Sequence, residues 1–313
     1  MKERNRQTAI TLSIAAVERD TGLRKDTLRV WERRYGFPTP GRDGIGERAY
    51  TLVEVDKLRI VKRLLDAGHR PGRIVPLSQE QLQELADQTV DQPLRQADVL
   101  RAGDDLRSHM ELIRSHDASR LRIELTRLLS RVGVARFVTE AVGPLNAAVG
   151  DAWIRGQMEI FEEHMYTETV KIVLRAAIAS VPEPAPHDSP RVLLSTFPGE
   201  PHGLGLLMAE AMLALEGCRC VSLGVQTPVW DMVLAATALR SDIVALSFTG
   251  CMSPNQIVDG LAELRSKLPP AVALWAGGSA PVLHRRPVPG VTAIASLGDI
   301  AAAVRALNGR NFN

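Results

Sequence analysis

The chain has 313 residues, 45% hydrophobic and 24% charged, with a formal net charge of +2. That length suits two or three domains of ordinary size, and the apolar share suffices for their cores, which excludes a disordered chain. No run of about 18 apolar residues exists to span a membrane. The charged start Met1-Lys2-Glu3-Arg4-Asn5-Arg6 lacks the apolar stretch of a secretory signal. Cys218, Cys220 and Cys251 are too few, and wrongly spaced, for a disulfide framework or a Cys-only metal site. A cytoplasmic protein is the expectation.

The net charge hides an asymmetry. Residues 1–77 hold 17 Lys and Arg against 10 Asp and Glu, and the rest of the chain holds 21 against 26. A basic first quarter on a mildly acidic body points to a nucleic-acid-binding head.

In that head, Ser13 is placed to N-cap a helix through Ile14 and Val17, and Gly22 ends it. A second helix is predicted over Lys25–Tyr35, with Leu28 and Trp31 toward the core. Arg24, Lys25, Arg29, Arg33 and Arg34 mark its other face. Two short helices around a Gly-bearing turn read as helix-turn-helix. The Gly- and Pro-rich stretch from Gly36 to Tyr50 suits a hairpin wing, and Leu52–Ala67 is a further helix stopped by Gly68. The run Thr27-Leu-Arg-Val-Trp-Glu-Arg-Arg-Tyr-Gly-Phe-Pro38, with Gly46-Glu-Arg-Ala-Tyr50 behind it, resembles the winged-helix head of MerR-type transcription regulators. The resemblance covers about the first 75 residues. It implies that Arg24, Lys25, Thr27, Arg29, Arg33 and Tyr35 face double-stranded DNA and that Arg42 and Arg48 contact phosphate from the wing. Metal-sensing members carry cysteines after a long dimerisation helix. This chain has neither, so its effector is sensed elsewhere.

Residues 79–180 read as nearly continuous helix, broken near Ser115–Asp117, Gly133 and Gly156, which makes a four-helix bundle. Trp153 stands near the third break, followed after nine residues by Glu163-His164. His109 and His116, seven residues apart on one helical face, read as solvated, and His69, His187 and His284 as turn residues. Val181–Pro190 has four prolines in ten residues and is a linker.

From 190 to 310 short apolar runs alternate with helices. Strands are predicted over 191–197, 220–225, 242–248, 271–276 and 291–295, which implies a parallel sheet covered on both faces. Ligands on such sheets sit at the carboxyl ends of the strands. Those ends carry Gly199-Glu-Pro-His-Gly-Leu-Gly205, then Ser247-Phe-Thr249, then Gly277-Gly278. The gaps are 41 residues from Gly205 to Ser247 and 27 from Thr249 to Gly277. This set resembles the cobalamin-binding module of methionine synthase and the corrinoid proteins. Their pattern is Asp/Glu-x-His-x-x-Gly, Ser-x-Leu and Gly-Gly at these spacings.

The resemblance implies a Rossmann-like domain with His202 as lower cobalt ligand, oriented by Glu200, with the cofactor's nucleotide tail along Gly205, Ser247, Gly277 and Gly278. The chemistry is consistent with that. Imidazole is a good axial ligand, and a carboxylate on its other nitrogen fixes the tautomer. Thr249 departs from the pattern's Leu and is small and apolar enough to take its place.

The Trp-x9-Glu-His spacing of Trp153, Glu163 and His164 is similar to the helical cap of light-dependent cobalamin repressors of the CarH and LitR type. By that resemblance the three side chains cover the upper cobalt face. Light-responsive relatives have a His directly after the Trp, and here that position is Ile154.

The expectation is a multidomain α and α/β protein. It has a winged helix-turn-helix DNA-binding head (1–78), a four-helix bundle cap (79–180) and a Rossmann-like cobalamin-binding domain (190–310). It is expected to be a non-enzymatic transcription regulator, a repressor, whose oligomerisation (dimer or tetramer) and DNA binding respond to adenosylcobalamin and light. A corrinoid methyl carrier, or a regulator that has lost its cofactor, are the alternatives.

Overall fold

A computed structural model of the chain describes residues 11–90, 103–184 and 189–310. The charged start and His187 in the proline-rich segment lie outside the described residues. The chain divides into two compact units. One comprises residues 1–92 with Ile154–Gln157, and the other residues 93–153 with 158–313.

In the first unit Ser13 accepts a hydrogen bond from the Ala16 N–H and starts α1 (Ile14–Thr21), which Gly22 ends at φ +71°. α2 (Lys25–Tyr35) buries Leu28 and Trp31 and stops at Gly36. The Gly- and Pro-rich stretch folds back as β2 (Gly41–Arg42) and β3 (Arg48–Thr51). β3 also pairs with β1 (Thr11–Ser13), a strand too short to show alternation in sequence. Thr51 and Glu54 form a reciprocal capping box that opens α3 (Leu52–Asp66). The short α4 (Pro71–Ile74) and α5 (Gln79–Val90) follow. Val17, Leu28, Trp31, Tyr50, Leu58, Val61 and Leu64 make the core. Ile154 packs among this unit's apolar residues, and the Gln83 amide donates to the Arg155 carbonyl.

The second unit begins with α6 (Gly103–Arg114) and α7 (Ala118–Val132), the latter capped by Asp117. A helical turn at Val134–Arg136 and a π-helical segment at Phe137–Val142 lead into α8 (Gly143–Ile154), and α9 (Ile160–Ser180) follows. Five parallel strands come next: β4 (Arg191–Ser195), β5 (Arg219–Ser222), β6 (Ile243–Phe248), β7 (Ala273–Gly278) and β8 (Val291–Ile294). They alternate with α10 (Leu204–Leu215), α11 (Val229–Ala238), α12 (Pro254–Lys267) and α13 (Ile300–Arg310). The sheet order is β5-β4-β6-β7-β8.

Strand periodicity divides the apolar residues between two cores. Val192, Leu194, Ile243, Ala245 and Trp275 share one with α10 and the preceding helices. Leu193, Val244, Leu246, Phe248 and Leu274 share the other with α11 and α12. Burial on both faces explains why the strands read as continuous apolar runs. The chain order reverses between β4 and β6, and this switch point opens a crevice at their carboxyl ends. Among the described residues no helix is long and apolar enough to cross a membrane.

Gly278 is fixed by this packing. Its φ is +112°, and a Cβ there would stand 2.1 Å from the Phe248 carbonyl oxygen. Gly150, inside α8, has open space around it. Gly278→Ala is expected to destabilise the second unit by more than about 3 kcal/mol, and Gly150→Ala to stabilise it by up to about 1 kcal/mol, read by urea denaturation. Equal stability of the two variants would contradict the account.

Candidate functional site

In the head, Arg24, Arg29, Arg33 and Arg34 are exposed along α2, while Lys25 is half-buried and paired with Glu18 at 3.4 Å. Arg29 pairs loosely with Asp26 at 3.1 Å, and Thr27 is half-buried. The Arg34 guanidinium lies over the Tyr35 ring. Arg42 is exposed and donates to the Gly46 carbonyl across the wing turn. Arg48 differs from the rest. Its Nε donates to Glu32 Oε2 at 2.8 Å, tying the wing to α2, and this carboxylate raises its pKa. Its guanidinium is thus engaged inside the head.

In the second unit, the loops after β4 and β6 meet at the switch point. Glu200 is fully buried. Its Oε1 accepts from the His202 backbone N–H at 3.1 Å and stands 2.7 Å from His202 Nδ1. Its Oε2 accepts from the Thr249 backbone N–H at 2.7 Å. The Thr249 hydroxyl lies 2.9 Å and 3.1 Å from the two carboxylate oxygens. Thr249 is therefore tolerated in place of the pattern's Leu for a polar reason: its hydroxyl supplies a donor to a buried charge. Burial opposes ionisation of Glu200, but the His202 imidazole and Thr249 hold its carboxyl below the usual range. The Cys251 thiol and Glu200 lift His202 to about 10. With Nδ1 engaged by Glu200, Nε2 is the nitrogen left for a metal, which competes there with a proton. The His202 side chain is 48% exposed, so that nitrogen is reachable.

The glycines and Ser247 gather beside this pair. Ser247 and Gly277 are register partners across β6 and β7. A Cβ on Gly205 would stand 3.0 Å from Ser247 Oγ, tighter than an ordinary contact, so the start of α10 approaches β6 closely there.

Residues missed in the sequence reinforce the same loops. The Thr196 hydroxyl donates to the Glu200 carbonyl at 2.7 Å and accepts from the Gln226 N–H at 2.8 Å. Gln226 sits at φ +59°, and its Oε1 accepts from the Gly199 N–H. Cys251 Sγ donates to the Gly199 carbonyl at 3.6 Å. Thr196 directly follows β4, whereas Gln226 and Cys251 lie four and three residues past the ends of β5 and β6 and carry no sequence signal.

Trp153 is the penultimate residue of α8, and Glu163 and His164 lie in the first turns of α9. Glu163 Oε1 accepts from the Thr167 hydroxyl at 2.7 Å, and its Oε2 is 3.6 Å from His164 Nε2. His164 is well exposed. His109 is buried rather than solvated, because α6 turns that face toward α7, and burial lowers its pKa. His116 Nε2 lies 3.0 Å from Glu162 Oε1, and its ring edge meets Phe161. His69 Nε2 lies 2.9 Å from the Thr89 hydroxyl, and His284 is exposed on a short helical turn.

Residues 12–81 match the MerR HTH family regulatory protein, and residues 109–178 match a B12 binding domain. The HTH-type transcriptional repressor CarH of Myxococcus xanthus is 33% identical over 84% of this chain and 87% of its own length. The chain belongs to this CarH/CarA family of MerR-type regulators. CarA of the same organism is 29% identical over 81% of this chain and 82% of its own length. DNA binding and cobalamin binding come with membership of the family. The monomethylamine corrinoid protein of Methanosarcina barkeri shares the fold, with a TM-score of 0.53 at 16% identity, over 67% of this chain and 99% of its own.

The two arginine environments predict different outcomes. Arg33→Ala is expected to weaken DNA binding by on the order of 1–3 kcal/mol without changing thermal stability. Arg48→Ala is expected to lower the melting temperature of the head, because Glu32 loses its partner. Fluorescence anisotropy at several salt concentrations, with thermal denaturation alongside, separates them. Loss of stability in Arg33→Ala with unchanged DNA affinity would reverse the assignment.

Proposed function

We propose that the chain is a DNA-binding repressor whose assembly and operator affinity follow adenosylcobalamin and light. The observation that carries this reading is the Glu200–His202–Thr249 constellation at the switch point, in a chain with a MerR-type head. The names of the two relatives, both transcriptional repressors, support the direction of regulation.

The residues present fit the cofactor. His202 would hold the cobalt through Nε2, with Glu200 holding Nδ1 and so fixing ring orientation. Gly205, Ser247, Gly277 and Gly278 would receive the nucleotide tail, with the Ser247 hydroxyl directly beside Gly205. When bound, adenosylcobalamin supplies a cobalt–carbon bond that light breaks. Trp153 covers the upper face and excludes water. Glu163 accepts hydrogen bonds from ribose hydroxyls through Oε2, since Oε1 already serves Thr167. His164 completes the cap. Ile154 carries no imidazole that could hold cobalt, so the light state would be less durable than in relatives with His there.

On the DNA side, Arg24, Lys25, Thr27, Arg29, Arg33 and Tyr35 face the duplex and Arg42 meets phosphate. Arg48 acts through Glu32 as a brace for the wing. The chain works in the cytoplasm as a homo-oligomer, dimer or tetramer, and is not an enzyme. Cofactor control requires only that the bound and free states differ in affinity for two assembly states. A corrinoid methyl carrier would leave the MerR-type head without a role.

His202→Ala is expected to lose the histidine-ligated visible spectrum and to bind cobalamin at least about tenfold more weakly, with its far-ultraviolet circular dichroism intact. An unchanged spectrum would remove His202 from the site. Illuminating the wild-type complex and then adding fresh adenosylcobalamin in the dark should restore oligomer size and DNA binding. A lasting light state with two His ligands would contradict the role given to Ile154, and a wild type that binds methyl and adenosyl forms as Trp153→Ala does would contradict the cap.

A further inference from the structure

Beside His202 the same two loops present a second, different set of metal ligands. A carboxylate oxygen of Glu200, a ring nitrogen of His202 and Sγ of Cys251 all lie within 4.8 Å of one another, and Nδ1 is the His202 nitrogen beside Glu200. Among the described residues no other group of three His, Cys, Asp or Glu side chains brings its ligand atoms this close. We propose that, in the chain free of cobalamin, Glu200, His202 and Cys251 bind one thiophilic divalent cation of the zinc class, and that this ion and cobalamin exclude each other.

The donor set is the first argument. One thiolate, one imidazole and one carboxylate are the ligands zinc takes, and three protein ligands leave a fourth position for water. Rigidity is the second. Glu200 is fully buried and held by the Thr249 N–H and hydroxyl, so one ligand is fixed before the ion arrives. His202 is half-exposed and free to adjust. Cys251 already points into the loop, toward the Gly199 carbonyl. Tetrahedral bonds of about 2.0–2.3 Å set neighbouring ligand atoms roughly 3.3–3.8 Å apart. The 2.7 Å contact between His202 Nδ1 and Glu200 Oε1 therefore opens slightly, and the metal takes the place of the Nδ1 proton. The thiol gives up its proton at the same time, so the ion is neutralised by a thiolate and a carboxylate. The other two cysteines are unsuited: Cys218 is buried, its thiol pushed up to about 12, and Cys220 is at the amino end of β5.

Mutual exclusion follows from counting lone pairs, and rests on the reading of His202 as the cobalt ligand. A neutral imidazole has one free lone pair. Cobalt ligation uses Nε2 and keeps the proton on Nδ1 against Glu200. The divalent ion uses Nδ1 and leaves the proton on Nε2. A neutral ring cannot serve both.

The test uses the full chain, stripped of metal and cobalamin, with Co(II) as the probe. One equivalent is expected to give a thiolate-to-cobalt charge-transfer band in the near ultraviolet, displaced by Zn(II). Cys218→Ser should keep the band and Cys251→Ser should lose it. Saturating Zn(II) should weaken adenosylcobalamin binding by at least about tenfold in wild type and by less than about twofold in Cys251→Ser. No band in wild type, or a band that survives in Cys251→Ser, overturns the site even if cobalamin binds normally. A band with no cobalamin binding supports the metal site and overturns the cobalamin reading instead. A band with cobalamin affinity indifferent to Zn(II) overturns the exclusion.

Discussion

A buried carboxylate organises the second unit. Glu200 has no exposure, and an ionised carboxylate in that setting costs several kcal/mol unless donors surround it. The donors come from two loops that are distant in sequence and adjacent in space. His202 contributes its backbone N–H and Nδ1 from the loop after β4, and Thr249 its backbone N–H and hydroxyl from the loop after β6. Removing any one leaves a charge short of partners, so the two loops are held in a single arrangement. That arrangement aims His202 Nε2 outward.

The groove and the helical cap are built from this point. α10 starts two residues after His202, and its second residue, Gly205, faces Ser247. α10 packs against α9, which carries Glu163 and His164, and both contribute to one continuous core with β4, β6 and β7. His202 therefore sits at the start of a helix packed directly against α9. Such packed cores do not deform smoothly, which suits a response between discrete states.

Much of this was legible in sequence, because the relevant signals are local. Gly22 and Gly36 close the head helices at positive φ, as their positions predict. The apolar runs of β4 and β6 and the helices between them followed from period and length. The Glu200–His202 contact was legible because a single residue, Pro201, separates them on one loop. Contacts across the switch point were hidden. Thr249 passed for an apolar substitute until its hydroxyl was seen on Glu200, and Thr196, Gln226 and Cys251 carry no motif of their own. Arg48 looked like any wing arginine, since nothing in the spacing announces its pairing with Glu32, sixteen residues earlier. His109 read as solvated because helical spacing says which residues share a face and not which face is covered.

The central claim is that His202 holds the cobalt from below. The most direct measurement is the electron paramagnetic resonance spectrum of the complex with the cofactor in its cobalt(II) form, prepared from protein labelled with ¹⁵N only in histidine. A nitrogen bonded to cobalt splits the signal, and ¹⁴N and ¹⁵N give different multiplicities. The account predicts that labelling changes the splitting from a ¹⁴N to a ¹⁵N pattern, and that the change disappears in His202→Ala. A splitting that stays ¹⁴N in the labelled wild type would mean that the cofactor keeps its own base as lower ligand, and would contradict the account.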